Sequence, residues 1–162
     1  MNEKDKRRLE LLKDKLQQQL HQEEMQKARQ RFLDEIPNFD LEFEFVDGGE
    51  HKKIDAFVDK FPYVSPSQLD LSCFGKTTHY AELSLFPNQD EDYFIVCLSG
   101  SWETINIYTK GKAENITKRC DDWYSISPYL LLISLDYKKI VFINDYGEVT
   151  YAEMENLQSY AK

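Results

Sequence analysis

Tyr129-Leu130-Leu131-Leu132-Ile133-Ser134-Leu135, Asp136-Tyr137-Lys138-Lys139, Ile140-Val141-Phe142-Ile143-Asn144, Asp145-Tyr146-Gly147-Glu148 and Val149-Thr150-Tyr151-Ala152 follow one another without a break. The first, third and fifth segments are dominated by branched aliphatic and aromatic residues, which pack well on a pleated surface, and each is strand-sized. The second and fourth are short and built from Asp, Lys and Gly, the chemistry of hairpin connections. A parallel pairing needs a crossover of roughly a dozen residues or more, for which there is no room. The stretch therefore reads as a three-strand antiparallel meander.

Upstream, Tyr93-Phe94-Ile95-Val96-Cys97-Leu98 has no polar alternation and is expected to be a central strand covered on both faces, ended by Gly100. Trp102 to Thr109 alternates again, Lys110-Gly111-Lys112 reads as a turn, and Ala113 to Thr117 as the returning strand of a hairpin. Cys120 to Ser127 reads as a short helix or loop before Pro128. Leu41-Glu42-Phe43-Glu44-Phe45-Val46 has period two and predicts a half-buried strand, followed by a turn at Asp47-Gly48-Gly49. Ile54, Phe57, Val58 and Phe61 recur at helical spacing and predict an amphipathic helix stopped by Pro62. Gln68–Phe74 and His79–Phe86 read as strands, expected to pair with each other across Gly75–Thr78. Glu153 to Tyr160 is expected to end the chain in a helical turn or two.

The first 36 residues differ from all this. All five Pro, all six Gly and every aromatic except Phe32 lie beyond them, and residues 3–36 are rich in Glu, Lys, Gln, Arg and Leu, the strong helix formers. They predict one helix about 50 Å long. At 100° per residue, Leu9, Leu12, Leu16 and Leu20 cluster near about 160°, whereas Met25, Ala28, Phe32 and Ile36 cluster near about 325°. The apolar stripe thus changes sides around Gln17-Gln18-Gln19. A heptad seam begun at Leu9 and Leu12 reaches Leu16 and then meets Gln19 and Glu23, so the pattern does not support a long coiled coil. The second half is expected to pack on the rest of the chain, and the first half to project, fold back or meet another chain. The organisation that follows is an N-terminal amphipathic helix, residues 1–36, and an acidic α+β region, residues 37–162, built as a mainly antiparallel sheet with one or two short helices.

Charge divides at the same point. The chain carries 20 Lys/Arg and 29 Asp/Glu, a net of −9. Residues 1–36 hold nine cations and eight carboxylates, and residues 37–162 hold eleven and twenty-one, a net of −10. Such a body repels phosphate backbones and anionic lipid surfaces, which argues against direct nucleic-acid or membrane binding and points to a basic protein partner. The charged start leads into no apolar signal segment, and no stretch approaches the roughly 20 apolar residues of a membrane span. With Cys73, Cys97 and Cys120 widely spaced and odd in number, reduced thiols and a cytoplasmic location are expected.

Catalytic and metal chemistry finds little support. Asn88-Gln89-Asp90-Glu91-Asp92 begins like a calcium loop, but Tyr93 stands where glycine is needed and Ser99 where a bidentate Glu would sit. His21, His51 and His79 show no ligand spacing, and Cys73 has only His79 near it in sequence. Ser99-Gly100-Ser101 lacks the first glycine of a nucleophile elbow. Glu42 and Glu44, expected on one strand face, are the one carboxylate pair that suits hydrolysis. No cofactor, no metal and no catalytic residue is assigned.

What remains is recognition. The 126-residue body carries 21 aromatics, and tyrosine favours binding surfaces. Asp121, Asp122, Trp123, Tyr124, Asp136, Tyr137, Asp145, Tyr146 and Glu148 are the candidate partner-binding residues, and Leu9, Leu12, Leu16 and Leu20 the candidate oligomerisation residues. In size, acidity and lack of a catalytic signature the chain is similar to small bacterial immunity and antitoxin proteins. The similarity implies an inhibitor that neutralises a basic partner, such as a nuclease toxin, by occluding its active site. The competing expectations are an assembly protein that forms a homodimer through its first helix and an enzyme with a carboxylate-based site.

Overall fold

The computed structural model describes residues 1–65, 68–98 and 106–158. A 33-residue helix, α1 (Glu3–Glu35), leads into an antiparallel seven-stranded sheet flanked by short helices, an α+β architecture. The strands are β1 (Phe43–Phe45), β4 (Thr77–Tyr80), β5 (Asp92–Cys97), β6 (Tyr108–Lys112), β7 (Leu130–Ser134), β8 (Lys139–Ile143) and β9 (Val149–Glu153), in the order β1-β6-β5-β7-β8-β9-β4. Two further strands, β2 (Tyr63–Ser65) and β3 (Gln68–Leu69), make a separate small hairpin. The helices are α2 (Phe39–Glu42), α3 (Gly48–Asp59), α4 (Ala113–Lys118) and α5 (Cys120–Ile126).

Both faces of the sheet are covered, which is why β5 and β7 are continuously apolar rather than alternating. Leu130 and Leu132 of β7 join Tyr93, Ile95, Val141 and Ile143 in one core, roofed by α1, α2, α4 and α5 through Phe32, Phe39, Ile116 and Trp123. Leu131 and Ile133 point the other way, into a core with Phe94, Val96, Ile140 and Phe142, roofed by Ile54 of α3, Phe61, Leu69 of β3 and Phe74. The meander is present as expected: β7 pairs with β8 and β8 with β9.

Only the second half of α1 takes part. Residues 1–24 are all exposed, Met25 is half-buried, and Ala28, Phe32 and Ile36 are in the core. Phe32 sits among rings, with centroids 5.9 Å from Phe39, 5.9 Å from Trp123 and 6.0 Å from Phe45. Arg31 donates from Nη2 to the Ser125 and Ile126 carbonyls at 3.1 and 3.4 Å, placing a cation on the carbonyl end of α5. Arg29 lies 4.8 Å from the Phe45 ring centroid and pairs with Asp47.

Several expected elements form differently. Leu41 and Glu42 belong to α2, because Phe39 and Phe43 are paired at helical spacing and stack at 5.5 Å; the strand starts only at Phe43. Asp47 precedes α3 as its N-cap, and Gly48 and Gly49 open that helix. Gln68–Phe74 and His79–Phe86 do not pair with each other. Each holds a shorter strand and a 3₁₀ turn, with β3 on β2 and β4 on β9. Lys110-Gly111-Lys112 continues β6 instead of turning, and Ala113 to Thr117 is helical. Gly111 is required there by proximity: a Cβ on it would lie 2.2 Å from Phe43 Cδ1. Trp102 to Ile105, and Gly100 as the end of β5, lie outside the described residues, as do Ser159 and Tyr160 of the terminal turn.

Replacing Phe32 by Ala is expected to cost about 3–5 kcal/mol of stability, as for a large buried aromatic. Leu16→Ala is expected to stay within about 0.5 kcal/mol, as at an exposed position. Urea titrations of the two variants test this division of α1.

Candidate functional site

A meander places successive turns at opposite ends of its strands, and this divides the candidate residues. Asp136 and Tyr137 lie in the β7–β8 turn, and Asp145, Tyr146 and Glu148 in the β8–β9 turn. The five residues of β8 keep the turns roughly 16 Å apart. Tyr129, just before β7, lies at the β8–β9 end, and α5 brings Tyr124 to the same place, its hydroxyl directly under Gly147.

The β8–β9 turn is fixed by its own hydrogen bonds. Asn144 Oδ1 accepts from the backbone N–H of Tyr146 and of Glu148, each at 3.0 Å, and Asn144 Nδ2 donates to Glu148 Oε2 at 3.1 Å. Gly147 adopts φ +79°, a left-handed conformation that suits glycine. A Cβ there would also sit 3.1 Å from the Tyr124 hydroxyl. Tyr146 stands at the tip, 83% exposed, on backbone already organised. Such a ring offers contact area at low entropic cost.

Acidic groups surround it. Desolvation, and then the Asp145 carboxylate, hold the Tyr129 hydroxyl above the ordinary tyrosine range. Burial, Cys120 and Asp121 do the same to Tyr124. Between Cys120 and Ala161 the only cations are Lys138 and Lys139, and both belong to the opposite end. Asp121, Tyr124, Tyr129, Asp145, Tyr146 and Glu148 thus form one acidic, aromatic edge. Asp122 is half-buried on α5, where its carbonyl accepts from Ser125 Oγ at 2.6 Å.

The other candidates serve the fold. Trp123 is fully buried against Phe32 and Phe43, so it offers no surface. Tyr137, at φ +60°, packs its ring on Phe57 and Phe94 at 5.1 and 5.6 Å; burial and Glu50 push its hydroxyl up to about 12. Asp136 accepts from Ser134 Oγ at 2.7 Å and from the Lys138 N–H at 3.0 Å, and these bonds, the Ser134 hydroxyl first, hold its pKa below the usual carboxylate value. Sequence reading did not separate these roles, although the alternation of turns in a meander was a signal for it. It also omitted Asn144, whose side chain organises the whole turn.

The sites considered for chemistry are engaged in structural contacts. Glu42, in α2, pairs with Arg119 at 3.5 Å, and Glu44, on β1, pairs with Lys110 on β6 at 3.3 Å. Cys73 Sγ lies 3.5 Å from Asp70, while His79 Nδ1 is 3.0 Å from Thr150 Oγ1. Gln89 of the acidic loop donates to the Phe86 carbonyl at 2.7 Å and accepts from Thr117 at 3.0 Å, a brace between loop and α4. Ser99-Gly100-Ser101 lies outside the described residues. Among the described residues no cluster of His, Cys, Asp and Glu suits a metal ion, and no helix is long and apolar enough to cross a membrane.

Leu9, Leu12, Leu16 and Leu20 share one side of the free half of α1, with exposures of 43, 57, 57 and 49%. Leu11, 62% exposed, lies on the opposite side. Compared with known proteins, the chain matches no family model and no curated sequence.

Raised tyrosines give the protein an alkaline limit. Tyr63 and Tyr151, like Tyr137, are pushed up to about 12 from the ordinary 10.0, burial being the first cause of each. The folded state holds these protons more tightly than the unfolded chain does. The contribution is therefore complete below pH 10 and lost as the pH rises towards 12. A titration followed by circular dichroism and tyrosinate absorbance is expected to show unfolding and late tyrosine ionisation together in that window; ionisation of all tyrosines near pH 10 on an intact fold is the contrary result.

Proposed function

We propose that the chain is a small protein-binding module whose acidic, tyrosine-bearing edge captures a basic protein, acting as an inhibitor of the immunity or antitoxin type. The observation that carries this reading is the convergence of Asp121, Tyr124, Asp145, Tyr146 and Glu148 around one self-braced turn, with the Tyr146 ring at its tip. An exposed aromatic on rigid backbone is an anchor of the kind that dominates interface energetics, and the surrounding carboxylates steer a cationic partner and stand in for phosphate. A nuclease domain has the complementary charge. The acidity of residues 37–162 favours the same partner and disfavours direct contact with nucleic acid.

A second reading, assembly through the free half of α1, is favoured by the four leucines that α1 leaves in solvent. A solvated helix does not by itself need such a stripe, and a contiguous exposed apolar face marks an interaction site.

Tagged protein captured from its native cells at low salt and eluted with rising salt is expected to release one basic protein in near-equal amount. With that protein in hand, Asp121→Lys combined with Glu148→Lys is expected to slow association about tenfold or more at low salt and less at high salt. Glu155→Lys, in the segment after β9 at the opposite end of the sheet, serves as the charge control. Equal association by both variants removes the edge from the mechanism.

A further inference from the structure

The free half of α1 carries two patterns at once. Leu9 and Leu20 are eleven residues apart, three turns at about 3.67 residues each, so the stripe runs nearly straight along the helix for about 16 Å instead of winding away as a heptad seam would. Charge is graded along the same segment. Residues 3–15 hold six cations and four carboxylates, and residues 16–24 hold only Glu23 and Glu24. Projected at 100° per residue, Lys6 and Glu24 border the leucines on one side and Arg8 on the other, while Glu23 falls within the stripe, between Leu12 and Leu16.

We infer that the occupant of this stripe is the same segment of a second copy of this chain, packed antiparallel; the inference rests on the reading of α1 as a docking surface. With Leu9 beside the partner copy's Leu20 and Leu12 beside its Leu16, opposite charges come together at both ends of the pair. Lys6 meets the second copy's Glu24, because in an antiparallel pair like flanks face each other, and Arg8 meets its Glu23. Like charges approach where Asp5, with Arg8 one turn away on its own helix, comes near Glu23, and where Lys13 lies within a turn of its own copy near the middle of the pair. A parallel pair reverses the balance, setting cationic first turns side by side and Glu23 and Glu24 against their own copies.

The bodies select the same direction. Residues 37–162 carry a net −10 and begin just beyond the C-terminal end of α1. Parallel helices bring two such bodies together at one end. Antiparallel helices set them at opposite ends of the pair, about 30 Å apart along the axis and several Debye lengths beyond strong repulsion. None of the side chains used in this pairing belongs to the acidic, tyrosine-bearing edge.

The test is sedimentation velocity on the full-length chain over a wide concentration range, with circular dichroism as a check on folding. A concentration-dependent dimer is expected, and Leu12→Glu with Leu16→Glu is expected to weaken it by about tenfold or more while leaving the fold intact, since both side chains are solvent-facing. Direction is read from cross-linking with peptide mapping. Leu9→Cys mixed with Leu20→Cys is expected to give the 9–20 disulfide, and Leu9→Cys alone none at that position. A 9–9 disulfide in good yield overturns the antiparallel arrangement while keeping α1 as the docking surface. A chain monomeric at every concentration overturns the second copy as occupant; if the leucine variant then also loses a captured protein, α1 still docks a partner, and if it does not, the docking reading of α1 falls as well.

Discussion

Burial of the Phe32 ring against Phe39, Phe45 and Trp123 is the contact on which the arrangement of the molecule depends. It is where a long, highly charged helix is made part of a sheet protein. Around it, Arg31 satisfies carbonyls at the end of α5 and Arg29 lies over Phe45, so the cations nearest this junction are spent on anchoring. The register of α1 follows: with Ala28, Phe32 and Ile36 turned inward, the leucines eight and more residues before Ala28 stand in solvent. The exposed stripe is a geometric result of the anchored one, given 3.6 residues per turn.

Much of the sheet was legible in the chain because the meander states itself twice, in strand composition and in turn chemistry. Errors arose where two periods fit one segment. Phe39 to Phe45 satisfies helical spacing through Phe39 and Phe43 and strand spacing through Phe43 and Phe45, and the chain uses both in succession. Gly111 looked like a turn residue because nothing local reveals that the Phe43 ring of the neighbouring strand occupies the space of its missing side chain. Those are tertiary facts, and single-strand patterns do not contain them.

The candidate edge was legible in part for a similar reason. Its composition was visible, with acids and tyrosines concentrated near the C-terminal meander, but composition does not distinguish two turns of similar sequence. Asp136-Tyr137 and Asp145-Tyr146 are both Asp-Tyr steps in hairpin connections. One tyrosine turns in at positive φ to pack on Phe57 and Phe94, while the other stands in solvent above a bonded Asn144. The difference lies in what each sheet end has beneath it: α3 supplies an aromatic bed at one, and the Tyr124 hydroxyl lies close under Gly147 at the other.

The separation within α1 also bears on how such a protein changes over generations. Positions along residues 3–24 are all exposed, so substitutions there are expected to leave folding stability nearly untouched and to add independently to changes in the core. Drift in those turns is filtered only by what they meet outside the chain. The body, by contrast, has little latitude, because both faces of its sheet are roofed and nearly every strand residue has neighbours on one side or the other. The molecule thus pairs a scaffold with little room for substitution with a segment whose changes leave that scaffold's stability nearly untouched.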